Sequence, residues 1–278
     1  MRNPVLQRFK QNKLAMFGVY MMIIMFVLVL LAPVISSYEA VTRMNVNNRF
    51  VKPGILNIMG TDEFGRDLLA RILYGGRISL FCSLGVIVFG FVIGASIGAL
   101  AGYKGGKIDT FLMRCMDVLM SVPSTLLAMA IITALGNGIG ELILALGISQ
   151  IARFARIVRS SVLTVKSSDY VEAAISYGMS PAKIMIKHII PNAIGPIIVS
   201  ITLSLGQTIL SISSLGYLGL GVASPQPEWG TIISENKMNI SDYPYLGLIP
   251  GACIVLTVMA VNFIGDGLAD AFNPKKAK

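Results

Sequence analysis

Six long apolar stretches, separated by short polar segments, dominate the pattern of this chain. Because a bilayer core about 30 Å thick needs roughly 20 apolar residues per helix, they predict an all-α membrane protein with six transmembrane helices. The fourth stretch is the shortest, and Ser149, Gln150 and Arg153 interrupt its second half. The stretches are Leu14 to Ile35, Ile78 to Gly102, Phe111 to Leu135, Ile139 to Phe154, Ala193 to Leu220 and Tyr245 to Ala269.

The chain is predicted to consist of a membrane core with additions at both ends. The first stretch is too long for the apolar region of a signal peptide and lacks a cleavage site, so we interpret it as a retained anchor. We expect residues 1–76 to hold the amino-terminal segment, this helix and an outer loop, residues 77–270 to form the core, and residues 271–278 to form a tail. The second half of Ser36 to Arg77 is amphipathic and predicts an interfacial helix.

Two features inside the spans bear on helix packing. Gly90, Gly94, Gly98 and Gly102 recur every four residues, which clears one helix face for close approach by another helix. Pro123 lacks an amide hydrogen and is predicted to kink the third span.

Composition supports the membrane assignment. Hydrophobic residues make up 54% of the 278 positions, charged residues only 13%, and the mean hydropathy is +0.73. The net charge of +9 comes from basic residues at membrane boundaries, without the aromatic-interleaved patch typical of nucleic-acid binding. Since Lys and Arg are retained on the cytoplasmic side, their positions place both termini inside. Examples on that side are Arg2, Lys104, Lys183 and Lys275.

Ionisable groups within spans are few. Asp117 lies one helical turn beyond Arg114, and this i,i+3 pair near the cytoplasmic boundary accounts for both charges. Asn262, Asp266 and Asp270 recur every four residues near the inner end of the last span, where they could meet neighbouring helices or a partner subunit.

The chain carries none of the common catalytic signatures. His188 is the only histidine, and neither an HExxH nor a Gly-x-Ser-x-Gly motif is present. The run from Ala101 to Ile108 lacks the first glycine and the terminal Ser or Thr of a Walker A loop. Cys82, Cys115 and Cys253 have no metal-ligand spacing. We therefore expect a chain that is not an enzyme and that has no metal site or cofactor of its own.

A polar cytoplasmic segment between the fourth and fifth stretches predicts two short helices. Asp169 is a candidate cap for the first helix, with Glu172 reaching back toward it. Gly178 can take the left-handed conformation that ends this helix. Ser180 and Pro181 predict the start of the second, and Pro191 is expected to break it.

The first short helix should expose an apolar stripe with small residues in it. Val171, Ala174, Ile175 and Gly178 fall at i, i+3, i+4 and i+7. Such a stripe is suited to entering a groove on another protein.

This segment resembles the EAA loop of the permeases of binding-protein-dependent ABC importers. That loop reads Glu-Ala-Ala, three residues, Gly, nine residues and Ile-x-Leu-Pro; here Glu172-Ala173-Ala174, Gly178 and Pro191 keep the spacing. His188 and Ile190 replace the usual Ile and Leu, and His is usual in the peptide branch. Three further runs resemble that branch: Gly60 to Asp67, Leu218 to Val222 leading to Trp229-Gly230, and Asn262 to Leu268.

The resemblance implies a type I importer in a bacterial or archaeal plasma membrane. Its expected partners are a second homologous permease, one or two cytoplasmic ATPase subunits that bind ATP and Mg²⁺, and an external substrate-binding protein. The loop would seat its short coupling helix in a cleft of the ATPase. The ATPase-coupling positions carried over are Asp169, Tyr170, Glu172, Ala173, Ala174, Gly178 and Pro191.

The substrate expected from the resemblance is a di- or oligopeptide, with nickel or a metal chelate as the alternative. Bare metal ions need clusters of imidazole, thiolate or carboxylate, which this sequence lacks. An ion-coupled carrier or channel is a third possibility, but the acids lie near predicted boundaries rather than at the midplane where carriers place them. The candidate pathway-lining residues are polar positions of the fifth span: Ser200, Thr202, Ser204, Gln207 and Thr208.

Overall fold

The apolar stretches form helices in the computed structural model, which describes residues 4–55 and 57–273. The α-helices are α1 (Pro4–Gln11), α2 (Lys13–Leu30), α3 (Ala32–Ile35), α4 (Glu39–Thr42), α5 (Leu68–Lys104), α6 (Gly106–Met120), α7 (Ser124–Leu135), α8 (Ile139–Lys166), α9 (Asp169–Ser176), α10 (Pro181–Ile184), α11 (Ile190–Tyr217), α12 (Trp229–Asn236) and α13 (Tyr245–Phe272). A 3₁₀ turn covers Val46–Asn48 and a π-helix covers Met185–Ile189. Arg2 and most of the expected tail, including Lys275, lie outside the described residues.

Four of the six predicted spans have a counterpart that is apolar enough to cross a bilayer, and a fifth can be added. Within the described ranges, α2, α5, the continuous run Pro181–Tyr217 and α13 qualify, and a fifth span results if α6 and α7 are counted as one bent segment. Helix α8 is long enough, but Arg153, Arg156 and Arg159 lower its hydropathy. The six-span count therefore stays a prediction.

The glycine face of α5 packs directly on α8, in the most extensive helix pair of the fold. A Cβ atom added at Gly94 would lie 2.5 Å from the carbonyl oxygen of Ile151, and one at Gly98 would overlap that of Ala155. The two backbones can approach this closely only because these positions lack side chains. The predicted packing role of the glycine period is confirmed.

The third apolar stretch is broken at Pro123, as predicted. Helices α6 and α7 meet there at an angle of 79°. Charged pairs hold α6 to α8: Arg156 Nη2 lies 2.5 Å from Asp117 Oδ1, and Arg159 donates to both carboxylate oxygens of Asp109. The expected pair between Arg114 and Asp117 is present at 3.7 Å, so Asp117 is shared between its own helix and α8.

The amino-terminal helices pack on the last helix. Gly18 of α2 lies against α13, where an added Cβ would be 2.7 Å from the carbonyl oxygen of Ala260. The outer segment does not form the expected separate interfacial helix. Instead, Asp67 Oδ1 accepts the Ala70 N–H at 2.7 Å, so Asp67 caps α5. Only Leu68 to Arg71 of the amphipathic run enter the first turn of α5, and the residues before them form a loop.

Candidate functional site

Helix α9 forms where the sequence predicts it, but its cap differs. Ser168, with extended backbone, is the N-cap residue, and its side chain makes no capping hydrogen bond. Asp169 is the first helical residue rather than the cap, so Glu172 is one position too late for a capping box. Both carboxylates instead lie in the first turn, where they interact favourably with the helix dipole.

The carboxyl end of α9 is closed by a Schellman motif. Gly178 has φ +72°, its N–H donates to Ile175 O at 2.9 Å, and the Met179 N–H donates to Ala174 O at 3.1 Å. Ser180 and Pro181 then begin α10 as predicted. The turn therefore sets a fixed angle between the two short helices, and only a residue that tolerates positive φ fits at its corner.

The apolar stripe expected on α9 is only partly exposed. Val171 is 0% exposed and Ala174 6%, because both pack against Val158, Val162 and Ile184 of this chain. Ala174 and Val171 thus anchor α9 to its own protein, which corrects the expectation that they are presented to a partner. The surface that α9 and its C-cap residue do present includes Tyr170, Glu172, Ala173, Ile175 and Tyr177.

Pro191 does not break the helix. The chain passes from α10 through the π-helix Met185–Ile189 into α11, with Pro191 in the first turn of α11. The Ile190 N–H donates to the carbonyl of Met185, five residues back. Pro191 has no N–H to donate, and the wider π turn before it lets the helix continue without that hydrogen bond. The segment therefore stays continuous from Pro181 to Tyr217.

Two of the five candidate pathway residues are buried inside the chain. Ser204 is 0% exposed and Thr208 1%, and the Thr208 hydroxyl donates to the Ser204 carbonyl at 2.8 Å. Both therefore face the bundle rather than an open pathway, which corrects the expectation. Ser200 and Thr202 are partly exposed and Gln207 is exposed.

A groove of about 460 Å³ opens at the break between α6 and α7. Gln207 lines it together with Pro123, Gln150, Arg153 and Ser211. A second groove of about 740 Å³ lies toward the inner end of α11 and is lined by Ser200 and, again, Arg153. Polar groups from α8 and α11 thus share a membrane-level surface, and Arg153 lies where the two grooves meet.

The Gly60-to-Asp67 run builds a buried ion network with α12, next to the amino-terminal end of α5. Arg66 Nε donates to Asp62 Oδ2 at 2.6 Å, and the Nη2 atoms of Arg66 and Arg71 lie 2.7 and 2.6 Å from the same oxygen of Glu235. Asp62, Arg66 and Arg71 are at most 1% exposed and Glu235 is 14% exposed. The network fastens the outer loop to the short helix that follows α11.

Glu228, also buried, fastens the other end of α12. Its carboxylate accepts from the hydroxyls of Ser79 and Ser213, at 3.0 and 3.3 Å, and from the Thr231 N–H at 2.9 Å. Trp229 is 0% exposed and donates from Nε1 to the Ile72 carbonyl. The motif around Trp229 therefore joins the amino-terminal part of α5 to the carboxyl-terminal part of α11.

The Asn262-to-Leu268 run is a packing surface on α13. A Cβ added at Gly265 would lie 2.6 Å from the Leu203 side chain, and one at Gly267 would overlap Ala15. Asp266, between these glycines, and Asn262, one turn before them, remain exposed. Within the part of the chain that the structure describes, no group of three or more His, Cys, Asp or Glu side chains could hold a metal ion.

Comparisons with known proteins match nearly the whole chain. The model of the family "Binding-protein-dependent transport system inner membrane component" matches residues 94–278, and that of the "N-terminal TM domain of oligopeptide transport permease C" matches residues 4–53. The chain is 38% identical over 269 residues to the dipeptide transport system permease protein DppC of Alkalihalophilus pseudofirmus, covering 97% of this chain and 88% of that protein.

Two further relatives and two solved structures agree with these matches. The oligopeptide transport system permease protein OppC of Bacillus subtilis is 37% identical, and the match covers 98% of this chain and 88% of that protein. The glutathione transport system permease protein GsiD of Escherichia coli is 38% identical, with 97% and 89% covered. The fold is similar to that of the inward-facing MetNI methionine ABC transporter, with a TM-score of 0.61 and 20% identity. The match covers 73% of this chain and 96% of that chain. An amino acid ABC transporter gives a TM-score of 0.54 at 21% identity, with 69% and 89% covered.

Proposed function

Since this chain belongs to the family of inner membrane components of binding-protein-dependent transport systems, we propose that it is the permease subunit of an ATP-driven peptide importer. It forms the membrane pathway together with a second homologous permease. The observation that carries the peptide assignment is the near-complete match to relatives named for dipeptide, oligopeptide and glutathione transport. An external binding protein delivers the substrate, and both termini lie in the cytoplasm.

The energy for transport comes from partner subunits. One or two kinds of cytoplasmic ATPase bind ATP and Mg²⁺ and hydrolyse the nucleotide, and the permease chain is not an enzyme. The exposed surface of α9, with Tyr170, Glu172, Ala173 and Tyr177, docks in a groove of the ATPase. Tyr177 is 90% exposed, which supports a role at an interface because large aromatic side chains are enriched there. Asp169 and Gly178 flank this surface and set its orientation.

The substrate is a peptide rather than a bare metal ion. A stripped Ni²⁺ needs several nitrogen, sulfur or oxygen ligands in one place, and the described residues contain no such group. Affinity for the substrate resides in the external protein, and the permease admits what that protein delivers. A metal wrapped in an organic chelate is the alternative cargo that the same pathway could pass.

Co-purification followed by transport tests the proposal. The tagged chain is purified from its own membranes in mild detergent, and we expect a second permease and an ATPase among the bound subunits. The complex is then reconstituted in vesicles with its binding protein and assayed for ATP-dependent uptake of labelled peptides, Ni²⁺ and a nickel chelate. We expect peptide uptake alone. Purification without any ATPase would refute the importer assignment, and uptake of nickel in place of peptide would refute the substrate.

The topology is tested by single-cysteine labelling in a chain whose three native cysteines are replaced. A cysteine at Ser176 of α9 should react with a membrane-impermeant reagent only after the cells are permeabilised, because the positive-inside rule places this segment in the cytoplasm. A cysteine at Ser241, in the exposed outer segment before α13, is the matched control and should react in intact cells. Labelling at position 176 in intact cells would contradict the proposed orientation.

A further inference from the structure

Arg153 is a cation inside a membrane helix with no anionic partner among the described residues. It lies about 20 Å from the outer end of α8, at 1.5 Å rise per residue. The next two arginines of α8 are both paired: Arg156 with Asp117 at 2.5 Å, and Arg159 with Asp109. Arg153 is partly exposed and lines both grooves. An ionisable residue at this depth is expensive unless it meets water or an opposite charge, which favours a function for it.

The grooves around Arg153 supply hydrogen-bond donors but no acid. No Asp or Glu occurs among the described residues that line either groove. The side chains of Gln150 and Gln207 carry amide donors, and Gln150 Nε2 uses one of its two N–H groups in a 3.4 Å bond to Thr208 Oγ1. The hydroxyls of Ser149 and Ser211 already donate to the carbonyls of Ala145 and Gln207. A positive charge surrounded by donors, with no carboxylate of the same chain to neutralise it, is complementary to an anion.

The break at Pro123 adds a second source of positive potential. Helix α7 begins at Ser124, and its first backbone hydrogen bond is donated by Leu127 to the Pro123 carbonyl, at 3.0 Å. Pro123 provides no side-chain cap. The N–H groups of Ser124 and Thr125 therefore lack acceptors within the described chain, and both residues line the groove that contains Arg153. An amino-terminal end of a discontinuous membrane helix favours negative charge.

We infer that Arg153 binds the terminal carboxylate of the peptide during its passage, with Gln150, Gln207 and the start of α7 as further donors. A carboxylate matches the guanidinium fork geometrically, and the terminal carboxylate is the one anion that every unmodified linear peptide carries. The groove is open at its surface, so the bound group can leave again. This inference rests on the proposed peptide function and adds a selectivity element within the permease itself.

The test compares peptides with a free and an amidated carboxyl terminus. The complete transporter is reconstituted in vesicles with its binding protein, and initial uptake rates are divided by the measured occupancy of the binding protein. We expect the wild type to favour the free acid by about tenfold, the order of magnitude for one charge-assisted hydrogen bond. R153Q should lower acid uptake by about tenfold, leave amide uptake unchanged and bring the ratio near one. R153K keeps the positive charge but not the planar guanidinium geometry, so its acid-to-amide uptake ratio should lie between those of the wild type and R153Q.

The matched control is R114Q, the same substitution at an arginine that is 79% exposed on α6; its acid-to-amide ratio should equal that of the wild type. An unchanged ratio in R153Q would refute the site. Loss of the second permease from purified R153Q would also refute the site, since it would show that Arg153 pairs with a carboxylate across the permease interface. Failure of the wild type to import either peptide would instead refute the proposed function.

Discussion

Replacing Glu235 by glutamine tests how firmly the buried ion network holds α12. In the native structure, one carboxylate oxygen of Glu235 accepts from both Arg66 and Arg71, at 2.7 and 2.6 Å. Glutamine keeps the size of the side chain and one oxygen acceptor but removes the charge. Two buried guanidinium groups then share the single carboxylate of Asp62, whose oxygen lies 2.6 Å from Arg66 Nε and 3.7 Å from Arg71 Nε.

The expected cost follows from burial. Removing one partner of a buried ion pair costs on the order of 3–5 kcal/mol, because the remaining charge stays buried without compensation. Since the Glu235 side chain keeps 14% of its exposure, we expect E235Q to lower the free energy of unfolding by about 3 kcal/mol, the lower end of this range. At roughly 2–4 °C per kcal/mol for a chain of this size, the melting temperature should fall by about 6–12 °C.

The control is E39Q, which removes the same charge from an exposed pair. Glu39 and Arg43 are 4.0 Å apart and each is 75% exposed, so the pair contributes less than about 1 kcal/mol. E39Q should therefore shift the melting temperature by no more than a few degrees.

The chain has a single tryptophan, so its fluorescence reports on one place in the structure. Trp229 is buried in α12, the helix that also carries Glu235, so its emission should shift to longer wavelength when α12 detaches. Purified protein in detergent is heated while tryptophan emission is recorded, for the wild type, E235Q and E39Q. Equal melting temperatures for E235Q and E39Q would show that the network does not contribute as the geometry requires.

Two further substitutions test close packing and coupling. G98A should destabilise the α5–α8 pair by at least about 1 kcal/mol, because the added Cβ overlaps the Ala155 carbonyl. The control G140A, with open space around it, should be neutral or slightly stabilising in the same thermal melt. Equal effects of the two substitutions would contradict the packing. G178V should abolish substrate-stimulated ATPase activity of the reconstituted complex while the chain still inserts, because valine does not tolerate φ +72°, and G178N should retain more activity because asparagine does. A G178V complex with normal stimulation would contradict the role of this turn.

Features that depend on local chemistry are predictable from the sequence. The glycine period of α5 and the break at Pro123 each follow from the side chains at those positions alone, and both are present in the structure. The Schellman turn at Gly178 belongs to the same class. Local rules fail where two neighbours compete for one role: in Ser168-Asp169 both residues are good caps, and the structure uses the serine. At Pro191, a π turn replaces the expected break.

Features that depend on distant residues are not accessible to such reasoning. Arg66 and Arg71 meet Glu235 across 169 and 164 positions of sequence, and no local spacing identifies that partner. The same limit applies to the pathway residues. The periodicity of α11 gives no sign that Ser204 and Thr208 face the bundle while Gln207 faces the groove, because this depends on how α11 is rotated against α8.

The anchoring of α9 has a mechanical consequence. Val171 and Ala174 fix α9 to the inner end of α8, and the glycine face locks α8 to α5 along most of its length. Because both contacts are closely packed, a displacement of α9 moves α8 and α5 together. For a helix of 28 residues, about 42 Å long, a tilt of about 5° around the outer end moves the inner end by about 4 Å. Arg153, half-way along α8, moves by about half as much, so a small displacement of α9 changes the width of the two grooves that Arg153 lines.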